Sequence, residues 1–168
     1  MMDPMVDLAT FRQVLGHYPT GVSVVTTVEA GGAPTGMVVG SFTSVSLDPP
    51  LVGFLPDAKS TSWPRIERTG RFCVNILAHG QEPLCRTFAM KGGDKFAGLA
   101  WRASPAGLPI LEGVVAWIDC DLDAVHLAGD HFFVTGLVRA MKVEHPASPL
   151  LFVQGGYGGF APLLTTAA

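Results

Sequence analysis

The sequence is short of charge and of cysteine, and each shortage excludes functions. Of 168 residues, 15% are charged and 48% are hydrophobic. The formal net charge is −3, and no basic stripe runs along the chain, so there is no footprint for a phosphate backbone and no nucleic-acid partner is expected. The one local basic cluster, Arg65, Arg68 and Arg71, is interrupted by Glu67. It reads as a solvated helix face, with a single bound phosphate group as the sharper alternative. Cysteine is represented by Cys73, Cys85 and Cys120, an odd number without C-x-x-C spacing, which argues against both a disulfide framework and a structural zinc site. The five histidines are scattered and form no ligand spacing. Met1 to Val6 lack a charged start followed by an apolar run, so no secretory leader is expected. No uninterrupted apolar stretch approaches the ~20 residues that span a bilayer, and no membrane partner is expected. A cytoplasmic location follows. With so few charges for its apolar content, part of the surface is expected to be covered by another subunit.

What the chain has in abundance is β-branched residues punctuated by turns. Asp7 is placed to cap a helix that sets Leu8, Phe11, Leu15 and Tyr18 on one face. Residues 22–28 read as a strand, Gly31-Gly32 as a turn, and 37–45 as a second strand completing a hairpin. Pro49 and Pro50 break it, since neither can donate to a sheet ladder. Residues 51–55 form a short apolar strand. A loop from Lys59 runs into a helix with Pro64 in its first turn. Residues 72–77 read as a strand and 81–90 as a helix with Leu84, Cys85 and Phe88 on one side. The last third is β-rich: 114–125, then 131–143 after a turn, then 150–153, then a glycine-rich loop at 155–159. About seven strands joined mostly by turns favour an antiparallel barrel over a doubly wound parallel sheet. The length fits one domain, residues 1–168.

Four segments are candidates for chemistry. Around Ser41, small hydroxyl residues alternate with bulky ones, and a strand carrying Gly40 and Ser41 lets a flat ligand approach its backbone. An ordinary edge strand with a solvated hydroxyl face is the plainer reading. Ser60, Thr61 and Ser62 precede a helix whose free N–H groups suit an anion, with Lys59 adding charge. A simple helix cap explains the same hydroxyls. Gly129-Asp-His131 reads either as a turn that starts a strand or as a way to hold an imidazole beside a cofactor. Gly155-Gly-Tyr-Gly-Gly159 reads as a mobile loop in which Tyr157 covers a ligand, or as a tail. Other patterns fail. There is no Walker loop, no Rossmann fingerprint and no nucleophile elbow. Asp119-x-Asp121-x-Asp123 lacks the glycine of a calcium loop and is better read as the polar side of a strand.

Taken together, the segments 11–21, 41–51, 70–77, 129–131 and 150–152, in this order, resemble the short-chain flavin reductase family. These are reductase components of two-component flavin-dependent monooxygenases. The resemblance implies a mainly β fold, an antiparallel split β-barrel with Greek-key character and a few short flanking helices. It implies FMN, or FAD, as flavin and NADH or NADPH as hydride donor. Val38, Val39, Gly40, Ser41, Phe42, Thr43 and Ser44 would line the ring and ribityl chain. Lys59, Ser60 and Thr61 would surround the flavin phosphate, with Trp63 near them and Lys91 as a second polar contact. His131 would help place the nicotinamide, bordered by Phe152, Gly155 and Tyr157. The resemblance also implies a homodimer with flavin sites near the subunit interface and a partner oxygenase that receives reduced flavin. A non-catalytic flavin-binding barrel, acting as electron carrier or flavin reservoir, is the alternative of another class.

Overall fold

A computed structural model describes residues 6–163. Met1 to Met5, most of the segment read for a secretory start, lie outside the described residues. Helix α1 (Leu8–Gly16) begins where Asp7 accepts a hydrogen bond from the Thr10 N–H at 2.8 Å. Its expected apolar face is present but nothing among the described residues covers it: Leu8, Phe11, Leu15 and nearby Tyr18 are all exposed.

The strands are β1 (Thr20–Gly21), β2 (Ser23–Val28), β3 (Pro34–Val39), β4 (Thr43–Leu47), β5 (Pro50–Phe54) and β6 (Arg71–Ile76). Then come β7 (Trp101–Ala103), β8 (Pro109–Leu111), β9 (Ala116–Ala128), β10 (His131–Val143), β11 (Leu151–Val153) and β12 (Gly156–Gly158). Two further helices interrupt them, α2 (Trp63–Glu67) before β6 and α3 (Glu82–Ala89) after it. The main sheet has seven antiparallel strands in the order β3-β2-β6-β9-β10-β5-β4. Its two edge strands, β3 and β4, are consecutive in the chain. Val39 and Thr43 are four residue steps apart, a reach of at most about 14 Å. Seven strands laid flat would hold their edges about 29 Å apart. The sheet therefore curls until its edges approach at residues 40–42, while β3 and β4 share no ladder. This is a barrel split between its first and last strands, as expected.

Both faces of the central strands are buried, which explains their unbroken apolar runs. Val24, Cys73, Leu77, Phe88 and Trp117 belong to one cluster, and Val25, Phe54, Trp63, Phe72 and Ile118 to the other. At the β10 crossing, a Cβ on Gly136 would meet Phe72 Cζ at 2.4 Å, so only glycine lets that ring lie against the strand.

Several local expectations need correction. The single strand expected over 37–45 is two strands, parted at 40–42 where the chain passes from one sheet edge to the other. The expected glycine-rich loop forms strand β12, which pairs with β11 through a turn with positive φ at Gln154 and Gly155. The hairpin β7–β8 was not expected, because two three-residue strands carry too little pattern. Asp119 is not on a solvated side: it is buried, and its Oδ2 accepts from the Ala106 N–H at 3.2 Å.

Candidate functional site

The loop after β5 is built by its own polar side chains. Asp57 Oδ1 accepts from the Lys59 N–H at 2.7 Å, and the Ser60 N–H donates to the Asp57 carbonyl at 2.9 Å. Ser60 Oγ then accepts from the N–H groups of Ser62 and Trp63, at 3.3 and 3.1 Å. Ser60 is thus the residue that turns the chain into α2, and its own proton remains free to point outward. Helix α2 has only five residues. Little macrodipole accumulates over so short a helix, so holding an anion falls mainly to hydroxyls and lysines.

This loop forms one wall of a cavity of about 330 Å³ whose lining includes Met37, Val38, Lys59, Ser60, Thr61, Lys91 and Lys95. The carboxylate on the cavity is Asp57, already engaged by the Lys59 N–H. Three ammonium groups and the hydroxyls of Ser60, Thr61 and Ser62 around one space make a donor set suited to a phosphate dianion. Lys95 is the residue that sequence reasoning missed. Its ammonium donates to the Phe88 carbonyl at 3.0 Å, to Ser62 Oγ at 3.2 Å and to the Gly36 carbonyl at 3.5 Å. Partial burial lowers its pKa, and the positive charge of Arg65 lowers it further. Two of those acceptors, Gly36 and Ser62, lie far off along the chain, so no local spacing announces the role.

The second expected segment arrives beside the first. Asp57 and His131 form an isolated antiparallel bridge. The Ala58 N–H donates to the Asp130 carbonyl at 2.9 Å, and the Phe132 N–H to the Pro56 carbonyl at 3.0 Å. His131 Nδ1 lies 2.7 Å from Asp130 Oδ1. That contact and the nearby imidazole hold the Asp130 carboxyl below its ordinary value, with a smaller contribution from Lys59. In the neutral ring, Nδ1–H donates to Asp130 and leaves Nε2 as acceptor.

The C-terminal hairpin lies on the other side of α3. Tyr157 Oη meets Cys85 Sγ at 3.1 Å, the Arg86 guanidinium lies 5.9 Å from the tyrosine ring centre, and Phe152 tilts against the same ring at 5.1 Å. The bond to Cys85 raises the pKa of the Tyr157 phenol, and partial burial adds to it. Tyr157 and Arg86 line a second cavity of about 500 Å³ that shares Ala89 and Met90 with the first. Gly155 forms the hairpin turn.

The remaining expected residues divide. Val38 faces the first cavity, whereas neighbouring Val39 is buried in the core. Gly40 passes close to Thr20 Oγ1, and Ser41 Oγ accepts from the Leu55 N–H at 2.9 Å, tying the 40–42 link to the end of β5. Phe42 packs on the core, and Thr43 and Ser44 begin edge strand β4. Trp63 does not line the cavity. Its ring is buried edge-on against Phe54 at 5.7 Å, and its Nε1 has no partner.

Comparison with known proteins shows the family. A flavin reductase like domain matches residues 15–161. The chain is 60% identical over 158 residues to a flavin reductase of Pseudomonas putida, covering 94% of this chain and 93% of that protein. The chain belongs to the flavin reductase family. It is also 48% identical over 170 residues to the reductase subunit of a flavin-dependent monooxygenase of Mycobacterium tuberculosis, covering 99% of this chain and 90% of that one. Among solved structures, an NADH:FAD oxidoreductase of Streptomyces globisporus, in complex with NAD and FAD fragments, superposes with a TM-score of 0.87. That protein is 35% identical, with 96% of this chain and 97% of that chain covered. Among the described residues no cluster of metal-ligating side chains is found.

Proposed function

We propose that this flavin reductase transfers a hydride from NADH or NADPH to FMN or FAD and supplies the reduced flavin to a partner monooxygenase. The observation that carries the proposal is the pairing of the 57–62 loop with the 129–131 turn, which sets a phosphate-holding donor group beside an imidazole. Bound flavin and nicotinamide supply the redox chemistry themselves, as acceptor and donor of the hydride. The chain's task is to hold them within ~3.5 Å of reacting distance and to keep water out. Ser60, Thr61, Lys59 and Lys91 hold the flavin phosphate, with Trp63 bracing the loop from beneath. Val38 and the backbone of Val39, Gly40, Ser41, Phe42, Thr43 and Ser44 border the ring. His131, fixed by Asp130, orients the nicotinamide, and Phe152, Gly155 and Tyr157 border it from the hairpin. No acid–base dyad is needed for hydride transfer, which fits a site built of hydroxyls, lysines and one imidazole.

The whole chain is taken as one domain, working as a homodimer in the cytoplasm. The uncovered apolar face of α1 and the low charge content support the dimer. Three unpaired cysteines suit a reducing compartment, and among the described residues no helix is long and apolar enough to cross a membrane. The test is nicotinamide oxidation followed by absorbance, with and without added FMN or FAD. Flavin-dependent oxidation is expected. Flavin binding without oxidation by either nicotinamide would favour the carrier instead.

A further inference from the structure

We propose that the groove lined by Arg65, Arg68 and Arg71 docks an acidic peptide segment of the oxygenase that receives the reduced flavin. The inference rests on the proposed delivery of reduced flavin to such a partner, and adds where that partner sits. The groove has a volume of about 660 Å³, with Glu29, Arg65, Arg68, Thr69 and Arg71 among its lining. Three of the chain's seven arginines meet there, in a protein whose net charge is −3. Arginine presents a planar fork of donors that fits both oxygens of a carboxylate at once.

Most of that charge is uncompensated. Arg68 and Arg71 pair with no carboxylate among the described residues. Glu29 Oε1 accepts from Arg65 Nε at 2.9 Å and from Nη2, leaving Nη1 of the fork without a partner among the described residues. Asp121, opposite Arg71 on β9, is held by Arg139 Nε at 2.6 Å. Glu67 lies two positions from Arg65 on α2, a spacing that puts the two on different sides of the helix, and it does not line the groove. The backbone that carries the arginines is pinned. Thr69 Oγ1 lies 2.8 Å from the carbonyls of both Ile66 and Arg71, and Thr27 Oγ1 donates to the Arg71 carbonyl at 2.9 Å. Little ordering of the chain is then left to oppose binding.

The lining selects the occupant. Among the described residues that form it none is aromatic, so no platform is offered to a nucleotide base. Its volume exceeds what one phosphate fills, and Glu29 within it repels a compact dianion. Carboxylates spaced along a peptide avoid Glu29 and meet the arginines in turn. The position suits the delivery of flavin. Arg65 also lines a neighbouring groove together with Lys95, and Lys95 lines the phosphate cavity. Only the five residues of α2, a rise of about 7.5 Å, separate the hydroxyl loop from Arg68.

A rhodamine-labelled hexaglutamate peptide serves as probe, followed by fluorescence anisotropy with FMN at saturation so that the lysines of the phosphate cavity are occupied. Saturable binding is expected, weakening as salt is added. Arg68→Gln and Arg71→Gln, both at exposed positions, should each weaken it about tenfold, the usual worth of a hydrogen bond to a charged group. Arg12→Gln, on α1, removes the same charge elsewhere and should change it less than about twofold. Oxidation of NADH with free FMN should be unchanged in both groove variants, which also shows that they fold. Equal peptide binding by the parent and both groove variants would overturn the docking site. Displacement of the peptide by inorganic phosphate, at matched ionic strength, as readily as by unlabelled hexaglutamate would make the groove a plain anion site and overturn its assignment to a peptide. A raised KM for NADPH alone in the groove variants would give the arginines to a nucleotide phosphate, with the same consequence. Failure of the flavin reading shows separately: the peptide would bind but neither flavin would, and the segment could no longer be assigned to an oxygenase.

Discussion

Asp57 and His131 are joined by an isolated β-bridge, so the hydroxyl loop and the imidazole turn form one unit although 73 residues separate them. The β9–β10 hairpin delivers His131 at its tip, and the loop after β5 receives it. Loss of the ring alone should therefore leave the loop in place. His131→Ala is expected to lower kcat/KM for NADH at least about tenfold while the FMN dissociation constant changes less than twofold. Steady-state kinetics and flavin fluorescence titration check this, and unchanged NADH kinetics would remove His131 from the site.

Ser60 has two jobs, turning the loop and facing the cavity. Ser60→Ala is expected to raise the KM for FMN about tenfold, the usual cost of losing a hydrogen bond to a charged group. Riboflavin, which has no phosphate, should be used as well by the variant as by the parent. Losing the acceptor for the Ser62 and Trp63 N–H groups should cost about 1 kcal/mol of stability. An equal loss for riboflavin would mean that Ser60 only shapes the loop.

Gly136→Ala places a methyl group 2.4 Å from Phe72 Cζ and 3.0 Å from Cys120 Cβ. The overpacking should cost roughly 1–3 kcal/mol. Urea unfolding should show a lower midpoint at unchanged slope. A midpoint equal to the parent's would mean that Phe72 swings aside freely.

Glu144 ties the ends of three strands together. Its Oε1 accepts from Trp117 Nε1 at 2.6 Å and also engages Arg102, with Lys142 Nζ at 3.8 Å. These contacts, the tryptophan bond foremost, hold its carboxyl below the ordinary 4.5. A lowered acid pKa means that the unfolded chain binds the proton more readily, so the contribution is complete above pH 4.5 and lost as pH falls through the lower folded value. The Tm difference between the parent and Glu144→Gln should be widest near neutrality and shrink on acidification. A difference that stays constant down to about pH 3 would refute the linkage.

Much of this was legible from local pattern. The β-branched run at 22–28, the apolar run at 72–77 and the Leu84–Cys85–Phe88 face each carry enough repeats to declare their structure. So do the hydroxyl triplet at 60–62 and the turn at 129–131. The break at 40–42 was not legible, because it marks the closing of a curled sheet and no proline announces it. Strand β12 was not legible either: four glycines around Tyr157 have poor strand propensity, and β11 supplies the ladder that overrides it. Lys95 was not legible, because its acceptors on Gly36 and Ser62 lie in other segments and converge on it only in the fold. The Asp119 carboxylate followed a polar alternation faithfully, yet the 104–108 turn covers the face it was expected to show to water.

Cys73, Cys85 and Cys120 are all free and all buried. Burial first, and Asp119 next, push the Cys73 thiol well up, and burial likewise raises Cys120 to about 12. In the closed molecule those two cannot readily become thiolates, and a maleimide in solution has no path to them. Labelling can proceed only when the strands part. The thiols are a clock built into the barrel: their alkylation rate counts openings, without any dye or tag, under the same conditions in which turnover is measured.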